Sequence, residues 1–351
     1  MTDDTASTLG ALLVSTPPDF SESAVAGLAR DHFGRKGHLT RLTSERDLNF
    51  RLTAATGKSH VLKIANLAEP IESVHFQTEA LLHLERTVPG LPIPRVVRTL
   101  TGATETILEE GNILRLLTYL EGEPLHRAQS SADQSRSMAS LGAVLARALR
   151  GFDHPAADHD LLWDIKQASR LRVLLPAIED GSLRALVEAR LDVFDAKIAP
   201  ALPALRWQVV HNDLNPHNVL VDPGDHARVT GILDFGDMVR TPLICDVAVT
   251  ASYQIDAADP LTSLVTFASA WHAVDPLEQA ELDLLFDLVA TRMITTIAIA
   301  GWRAARYPEN APYIMRNVPR ALAGLQAFER LSPADVHRQL AAACPPVKEP
   351  T

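Results

Sequence analysis

Two polar segments of the chain contain the residue types that phosphate chemistry uses. The first, residues 211–218, reads H-N-D-L-N-P-H-N and lies between two apolar runs. The second, residues 231–236, reads G-I-L-D-F-G and places an aspartate at the end of another apolar run. Phosphoryl transfer needs a carboxylate that orients and deprotonates the attacking hydroxyl, and oxygen ligands that hold Mg²⁺ on the phosphates. Asp213 fits the first requirement, and Asn218 with Asp234 fits the second.

This pair of segments resembles the catalytic loop and the magnesium loop of the aminoglycoside-phosphotransferase and choline-kinase superfamily, which shares the protein-kinase-like fold. Two motifs of this composition, in this order and each framed by apolar strands, rarely arise by chance. The resemblance implies that Asp213 is the catalytic base, that Asn218 and Asp234 bind Mg²⁺, and that ATP or GTP is the co-substrate.

The resemblance extends to the nucleotide side of such a site. Residues 61–64, V-L-K-I, resemble the nucleotide-binding strand, with Lys63 on the α- and β-phosphates. Glu79, in the middle of the next helix, resembles the acid that pairs with this lysine. Without the two loops neither residue is informative, because a lysine on a strand face or a glutamate on a helix is usually solvated. The hinge whose backbone binds the base is expected at Thr118, Tyr119 and Leu120.

The chain departs from protein kinases in the segment expected to cover the phosphates. Residues 43–49 read T-S-E-R-D-L-N and contain no glycine, so Ser44, Arg46 or backbone N–H groups are the candidates for phosphate contacts. Asn212 precedes Asp213 where protein kinases have arginine, and an activation loop tied down by a phosphorylated residue is therefore not expected. Only a few residues separate Gly236 from the next predicted helix. That spacing leaves no platform for a peptide and favours a small-molecule substrate.

The order of the predicted elements indicates an α+β protein, with strands mostly in the first third and helices after it. Alternating apolar residues and turn signals predict a helix and then antiparallel strands around a second helix. The predicted ranges are a helix at 21–33, strands at 38–44, 47–53 and 61–65, a helix at 71–86, and strands at 96–100, 104–108 and 113–120.

A change of character near residues 119–124 predicts a boundary between two lobes that share one cleft. We assign residues 1–120 to an N-terminal nucleotide-binding lobe and residues 121–351 to a larger, mainly helical catalytic and substrate-binding lobe. Helices are predicted at 131–150, 163–175 and 183–196 and again from about Pro242, around a strand–loop–strand insertion at 207–234.

Two further segments bear on the substrate. Residues 161–165, L-L-W-D-I, and residues 303–314 resemble the hydroxylysine-kinase-like branch of the superfamily. This resemblance implies a small hydroxylated amine or amino acid as substrate, with Asp164 binding an ammonium group and Trp163 packing on its alkyl part. Core packing explains Trp163 equally well, and a position at the start of a helix explains Asp164 equally well.

Several alternatives stay open from the residues alone. An aminoglycoside, choline or ethanolamine, or homoserine would suit the same motifs, as would a kinase-like module that binds a nucleotide or metabolite without catalysis. His217 near Asp213 also suggests a metal-dependent hydrolase, but no further cluster of ligands at metal spacing accompanies it. His211 is better interpreted as a histidine that supports the loop through hydrogen bonds to the backbone.

Bulk composition restricts the partners. The formal net charge of -10 makes nucleic acid an unlikely partner and suits a cationic substrate. The two cysteines form no disulfide framework, and the first residues lack the features of a signal peptide, so we expect a cytoplasmic protein. The most apolar stretch, residues 284–300, is expected to be a buried helix and not a membrane span. The sequence gives no indication of oligomeric state.

Overall fold

The computed structural model describes residues 17–44 and 46–346. Glu45 and the first residues, in which the sequence analysis looked for a signal peptide, lie outside these ranges. The described chain divides into two compact units. The smaller unit runs to Glu121 and also includes His154–Asp160 and Thr230–Gly236. The larger unit contains Gly122–Asp153, Leu161–Val229 and the chain from Asp237 onward. The predicted lobes, 1–120 and 121–351, are continuous ranges and place both of these later segments in the second lobe.

The smaller unit is built on an antiparallel sheet with the strand order β1-β2-β3-β6-β4, and β5 also pairs with β6. Apolar residues alternate along β2, so Leu48, Phe50 and Leu52 are buried while the residues between them are less so. Its elements are α1 (Glu22–Phe33), β1 (His38–Leu42), β2 (Leu48–Thr53), β3 (Ser59–Ile64), α2 (Ile71–Thr87), β4 (Val96–Val97), β5 (Thr106–Ile107), β6 (Ile113–Thr118) and a 3₁₀ turn at Pro155–Asp158.

The register of this sheet fixes where Lys63 points. Leu62 and Ile64 on β3 are completely buried, and they join the core that α1 closes through Val25 and Phe33. Because successive side chains of a strand face opposite ways, Lys63 lies on the other face of the sheet. Lys63 is paired with Asn49 of β2 on one side and Arg115 of β6 on the other.

The larger unit is mainly helical. Two small groups of strands lie among the helices, one ordered β10-β9-β7 and one pairing β11 with β8. Its strands are β7 (Glu123–Pro124), β8 (Trp207–Val210), β9 (Val219–Asp222), β10 (Asp225–Ile232, which ends in the smaller unit) and β11 (Val239–Pro242). Its α-helices are α3 (Ala132–Leu149), α4 (Gly181–Val193), α5 (Leu243–Ser252), α6 (Pro260–His272), α7 (Gln279–Arg306), α8 (Ala311–Ile314), α9 (Val318–Phe328) and α10 (Pro333–Ala343). A π-helical turn at Phe194–Ile198 and 3₁₀ segments at Leu125–Arg127, Ile165–Ala177, Leu202–Ala204, Pro308–Asn310 and Met315–Asn317 complete it.

Helix α7 passes through the middle of the larger unit. By length and composition alone it could cross a membrane, but 89% of its most apolar window is buried inside the protein. A buried helix over residues 284–300 is therefore confirmed. Close packing elsewhere depends on glycine, since a Cβ on Gly142 of α3 would come within 2.7 Å of the Trp271 ring of α6.

Three predicted elements differ clearly from the structure. The strand predicted at 104–108 is limited to Thr106–Ile107. The α-helix predicted at 163–175 is a run of 3₁₀ turns over Ile165–Ala177, with Pro176 inside it and non-helical torsions at Gln167. The strand predicted at 96–100 ends at Val97. There the backbone turns instead, because Thr99 and Gly102 make hydrogen bonds within the 99–103 segment.

Candidate active site

The loop that carries Asp213 lies between β8 and β9 of the larger unit. Asn212 takes up a left-handed conformation, with φ of 65°, and its N–H donates a hydrogen bond of 2.7 Å to Oδ1 of Asp246 on α5. The buried ring of His211 accepts a hydrogen bond from the backbone N–H of Asp213 through Nδ1. This is the supporting role expected of His211, and together these bonds fix the backbone on both sides of the candidate base.

Both oxygens of the Asp213 carboxylate accept hydrogen bonds from other side chains. Oδ2 accepts hydrogen bonds from the side-chain amides of Asn215 at 2.7 Å and Asn218 at 2.8 Å. Oδ1 accepts from Nη2 of Arg292 on α7 at 3.0 Å. The side chain of Asp213 is 19% exposed, so it can meet a ligand while its orientation is set by the protein. A carboxylate held in this way is suited to orienting a hydroxyl and accepting its proton.

The structure brings Asn218 next to Asp213, as the predicted loop requires. The Nδ2 group of Asn218 also donates to the backbone carbonyl of Asp213 at 3.0 Å. Both contacts use the NH₂ end of the amide, and none of the described residues donates to its Oδ1. A neutral amide oxygen of this kind is a suitable ligand for Mg²⁺, which combines a few protein oxygens with phosphates and water.

Asp234 follows β10 and belongs to the smaller unit. Its φ of 55° is left-handed, and its Oδ1 accepts a hydrogen bond of 3.2 Å from the N–H of Gly236. Asn212 and Asp234 are the two non-glycine residues with positive φ in the described part of the chain. Such torsions cost free energy and concentrate at functional sites. The described residues contain no group of three His, Cys, Asp or Glu that could hold a metal by itself.

Lys63 already has an acidic neighbour within the smaller unit. Its Nζ lies 3.5 Å from Oδ2 of Asp47, in the glycine-free segment between β1 and β2. The other oxygen of Asp47 accepts from the N–H of Asn66, and its own N–H donates to Oγ of Ser44. Burial, followed by the charge of Asp47, raises the pKa of Glu69, with Lys63 among the cations that oppose the shift. The charge of Lys63 therefore acts on two carboxyl groups, those of Asp47 and Glu69.

Glu79 is not the ion-pair partner of Lys63 in this structure. It lies half-buried on α2 and forms no ion pair with any described residue. Its role as the acid that orients the lysine stays a prediction.

The predicted hinge offers one free backbone donor. The N–H of Thr118 donates to the carbonyl of Arg95, and the N–H of Tyr119 donates to the carbonyl of Ser59 at 3.3 Å. None of the described residues accepts a hydrogen bond from the N–H of Leu120. The guanidinium of Arg51 lies 4.0 Å from the centre of the Tyr119 ring and helps to fix this segment. Leu120 is thus the residue of the predicted hinge whose backbone N–H has no acceptor among the described residues.

The two predicted substrate residues are engaged with the protein itself. Asp164 is completely buried, forms an ion pair with Lys166 and accepts a hydrogen bond of 3.0 Å from Oγ1 of Thr241. A substrate ammonium would therefore have to displace Lys166. The backbone carbonyl of Trp163 accepts from Nη1 of Arg292, and its half-buried ring lies 5.2 Å from that guanidinium. Their roles in substrate binding stay predictions.

Burial and neighbouring charges shift two pKa values near the loop. Burial raises the pKa of Asp246 to about 7, opposed by its hydrogen bond from Asn212 and by the charge of Arg292. Burial, followed by the charge of Arg316, lowers the pKa of His217 to about 4. The His217 ring stacks on His126 with centroids 4.1 Å apart, so it is a neutral packing partner at neutral pH.

Arg292 and Asp47 are the site residues that the motif comparison does not identify. Arg292 has a signal in the sequence, because it is the single charged residue between Leu288 and Trp302 in an apolar helix. A buried charge in such a run requires a partner of opposite charge. Asp47 has no comparable signal, since an aspartate in a polar loop is ordinarily solvated.

The fold and the loop around Asp213 define a class: a protein-kinase-like phosphotransferase for a small molecule. The comparison with known proteins makes this more specific. Residues 38–285 match the phosphotransferase enzyme family, and the chain belongs to that family. It is 30% identical over 329 residues to a hydroxylysine kinase of Mus musculus, covering 86% of this chain and 87% of the relative. It is 27% identical over 339 residues to a hydroxylysine kinase of Danio rerio, covering 92% and 95%.

Solved structures show the same fold at low identity. A microcompartment-associated aminopropanol kinase superposes with a TM-score of 0.68 and 17% identity, covering 91% of this chain and 100% of that one. An amicoumacin kinase in complex with AMP-PNP and Ca²⁺ superposes with a TM-score of 0.63 and 14% identity, covering 86% and 95%. The protein is a kinase that acts on an alcohol group.

Proposed function

We propose that this protein transfers the γ-phosphate of ATP or GTP to the hydroxyl of a small cationic amino alcohol or amino acid, of which hydroxylysine is the model. The observation that carries the proposal is the Asp213 carboxylate, held at both oxygens within a loop of kinase-like composition. The similarity to hydroxylysine kinases along most of the chain supports the choice of substrate.

The proposed reaction assigns one task to each group. The acceptor hydroxyl gives its proton to Asp213, its oxygen attacks the γ-phosphorus, and the bond to the β–γ bridging oxygen breaks to release the nucleoside diphosphate. Lys63 neutralises phosphate charge, and the N–H of Leu120 binds the base. Asn218 and Asp234 would hold Mg²⁺, which supplies charge neutralisation on the phosphates when bound. The proposal requires all these groups to meet one nucleotide.

A nucleoside-diphosphate release assay with Mg²⁺ tests the function. ATP and GTP are supplied separately, and the acceptors are 5-hydroxylysine, ethanolamine, choline, homoserine and several aminoglycosides. Lysine is the matched control, because it differs from hydroxylysine by the acceptor hydroxyl alone. We expect hydroxylysine to stimulate release, lysine to have no effect, and mass spectrometry to find one added phosphoryl group on the product.

Other results would change the proposal. Stimulation by an aminoglycoside, choline or homoserine but not by hydroxylysine would retain the kinase and replace the substrate. Binding of nucleotide without stimulation by any acceptor would favour a kinase-like binding module.

The cellular location is a separate proposal. Cys245 and Cys344 are both buried and free, which supports a reducing cytoplasm as the location of the protein. Cell fractionation tests this location.

A further inference from the structure

Arg292 places a positive charge inside the apolar helix α7. The neighbouring residues from Leu288 to Ala300 are all buried, and the side chain of Arg292 is only 2% exposed. A guanidinium in such surroundings is costly unless acceptors and an opposite charge surround it. The identity of its partners therefore indicates what the charge is for.

The guanidinium makes three hydrogen bonds to groups outside its own helix. Nη1 donates to the backbone carbonyl of Trp163 at 3.1 Å, and Nη2 donates to the hydroxyl of Tyr253 at 3.1 Å and to Oδ1 of Asp213 at 3.0 Å. The rings of Trp163 and Tyr253 lie 5.2 and 5.7 Å from the guanidinium carbon. Of these three acceptors, one is a backbone carbonyl and one a hydroxyl, and Asp213 is the one that provides a carboxylate.

The charge of Arg292 is stable in these surroundings. Burial acts to lower its pKa, but the nearby Tyr253 and Asp213, together with the charge of Asp237, outweigh burial and raise the pKa above its ordinary value. The guanidinium therefore stays protonated whenever the neighbouring carboxylate is ionised.

We propose that Arg292 is a positioning residue for phosphoryl transfer, which fixes the Asp213 carboxylate in the orientation that engages the acceptor hydroxyl. This inference rests on the proposed function and adds a residue to it. Asn215 and Asn218 hold Oδ2 from within the same loop, so they move with Asp213. Arg292 holds Oδ1 from the buried helix 79 residues further along the chain, so it ties the loop to the core of the larger unit.

The expected consequence is a loss of rate and not of binding. A displacement of about 1 Å at a reacting group lowers the rate about 100-fold, whereas ground-state contacts to the ligands stay the same. Arg292→Gln should therefore lower kcat about 100-fold and leave the KM of nucleotide and acceptor within about threefold. Arg292→Lys keeps the positive charge but loses the planar guanidinium with its several N–H donors. Its kcat should therefore be about tenfold higher than that of Arg292→Gln, and still below that of the wild type.

The experiment measures kcat, both KM values and thermal unfolding for the wild type, Arg292→Gln, Arg292→Lys and a control. Thr296→Val is the matched control, because Thr296 is buried one turn further along α7 and its hydroxyl donates a hydrogen bond to the backbone carbonyl of Arg292, away from the guanidinium. The control should retain wild-type kcat. Low kcat with unchanged KM in a folded Gln variant, partly restored in the Lys variant, is the result expected.

Other outcomes overturn the inference. Wild-type kcat in the folded Arg292→Gln variant means that Asp213 needs no help from α7. A parallel loss in the Thr296→Val control, equal increases in both KM values, or failure of both Arg292 variants to fold means that Arg292 has a purely structural role. A wild-type protein without activity on any acceptor is a different result, because it contradicts the proposed function before any variant is compared.

Discussion

The candidate base and the candidate phosphate-binding lysine are held by contacts of different quality. Asp213 has both oxygens in hydrogen bonds of 2.7 to 3.0 Å, and one of its partners is a buried arginine. Among the residues that the structure describes, Lys63 has one ion pair, to Asp47 at 3.5 Å, and that partner lies in a loop. On the proposed assignment, the acceptor side is thus held by the protein's own contacts, whereas on the phosphate side the Asp47 carboxylate lies near the proposed phosphate-binding lysine.

This difference teaches how the two sides can respond to ligands. A carboxylate fixed by the protein needs little reorganisation when the hydroxyl arrives. A lysine paired with Asp47 must share its charge with an incoming phosphate, so nucleotide binding should be sensitive to this competing carboxylate. The predictions below test the comparison, beginning with the largest effect.

Asp213→Asn should have the largest effect. The amide keeps the shape of the side chain but cannot accept the hydroxyl proton, and removing such a base lowers kcat about 10³-fold. Nucleotide affinity, measured by calorimetry, should stay within about twofold of the wild type, since the interaction is made in the transition state. Turnover close to wild type would mean that another group is the base.

Asp47→Asn and Glu79→Gln form a matched pair on the phosphate side. Removing the Asp47 charge frees Lys63, and a half-buried pair worth about 1 kcal/mol corresponds to about fivefold tighter nucleotide binding. Glu79→Gln should leave the nucleotide Kd unchanged, because Glu79 forms no ion pair among the described residues. Weaker binding in Glu79→Gln, with no change in Asp47→Asn, would restore Glu79 as the partner of Lys63.

The pH dependence of stability tests Asp246, which accepts a hydrogen bond from the N–H of Asn212 next to the candidate base. The pKa of Asp246 is about 7 in the folded protein and lies near 3.8 when the chain is unfolded, so the folded state binds this proton more tightly. The free energy of unfolding should therefore fall as pH rises from 3.8 to about 7, and Asp246 contributes on the order of 4 kcal/mol to that fall.

Asp246→Asn provides the control for this pH effect. The amide oxygen still accepts the hydrogen bond from the N–H of Asn212, but the side chain no longer titrates. Denaturant unfolding at several pH values should therefore give a flatter profile for the variant. Parallel profiles for the variant and the wild type would show that Asp246 is not the titrating group.

Much of the fold and half of the site geometry follow from local sequence patterns. Strand alternation around Leu62 and Ile64 predicts the buried face of β3 and the direction of Lys63, because side chains on a strand alternate strictly. The spacing of Asp213, Asn215 and Asn218 brings these residues together within one loop. Contacts of this kind need no knowledge of the tertiary structure.

The remaining features depend on residues far apart in the chain. The contact between Arg292 and Asp213 joins positions 79 residues apart, and no periodicity within either segment encodes it. The engagement of Asp164 by Lys166 and Thr241 likewise depends on where β11 packs. Asp47 lies beside Lys63 because Leu48, the next residue, pairs with Ile64 where β2 meets β3. These are outcomes of packing and not of local propensity.

The return of residues Thr230–Gly236 to the smaller unit has a consequence for how the protein is made. Within that unit, the N–H of Ile232 donates to the carbonyl of Pro92. A segment that is synthesised late therefore completes a unit whose other residues are mostly synthesised early. On the ribosome, the first 121 residues emerge well before this segment, and the smaller unit must wait incomplete until residue 236 is outside the exit tunnel. A gene that ends at position 121 would give a fragment without residues 230–236 and without the hydrogen bond between Ile232 and Pro92. A permuted gene that links residues 230–236 directly to the early strands would supply both.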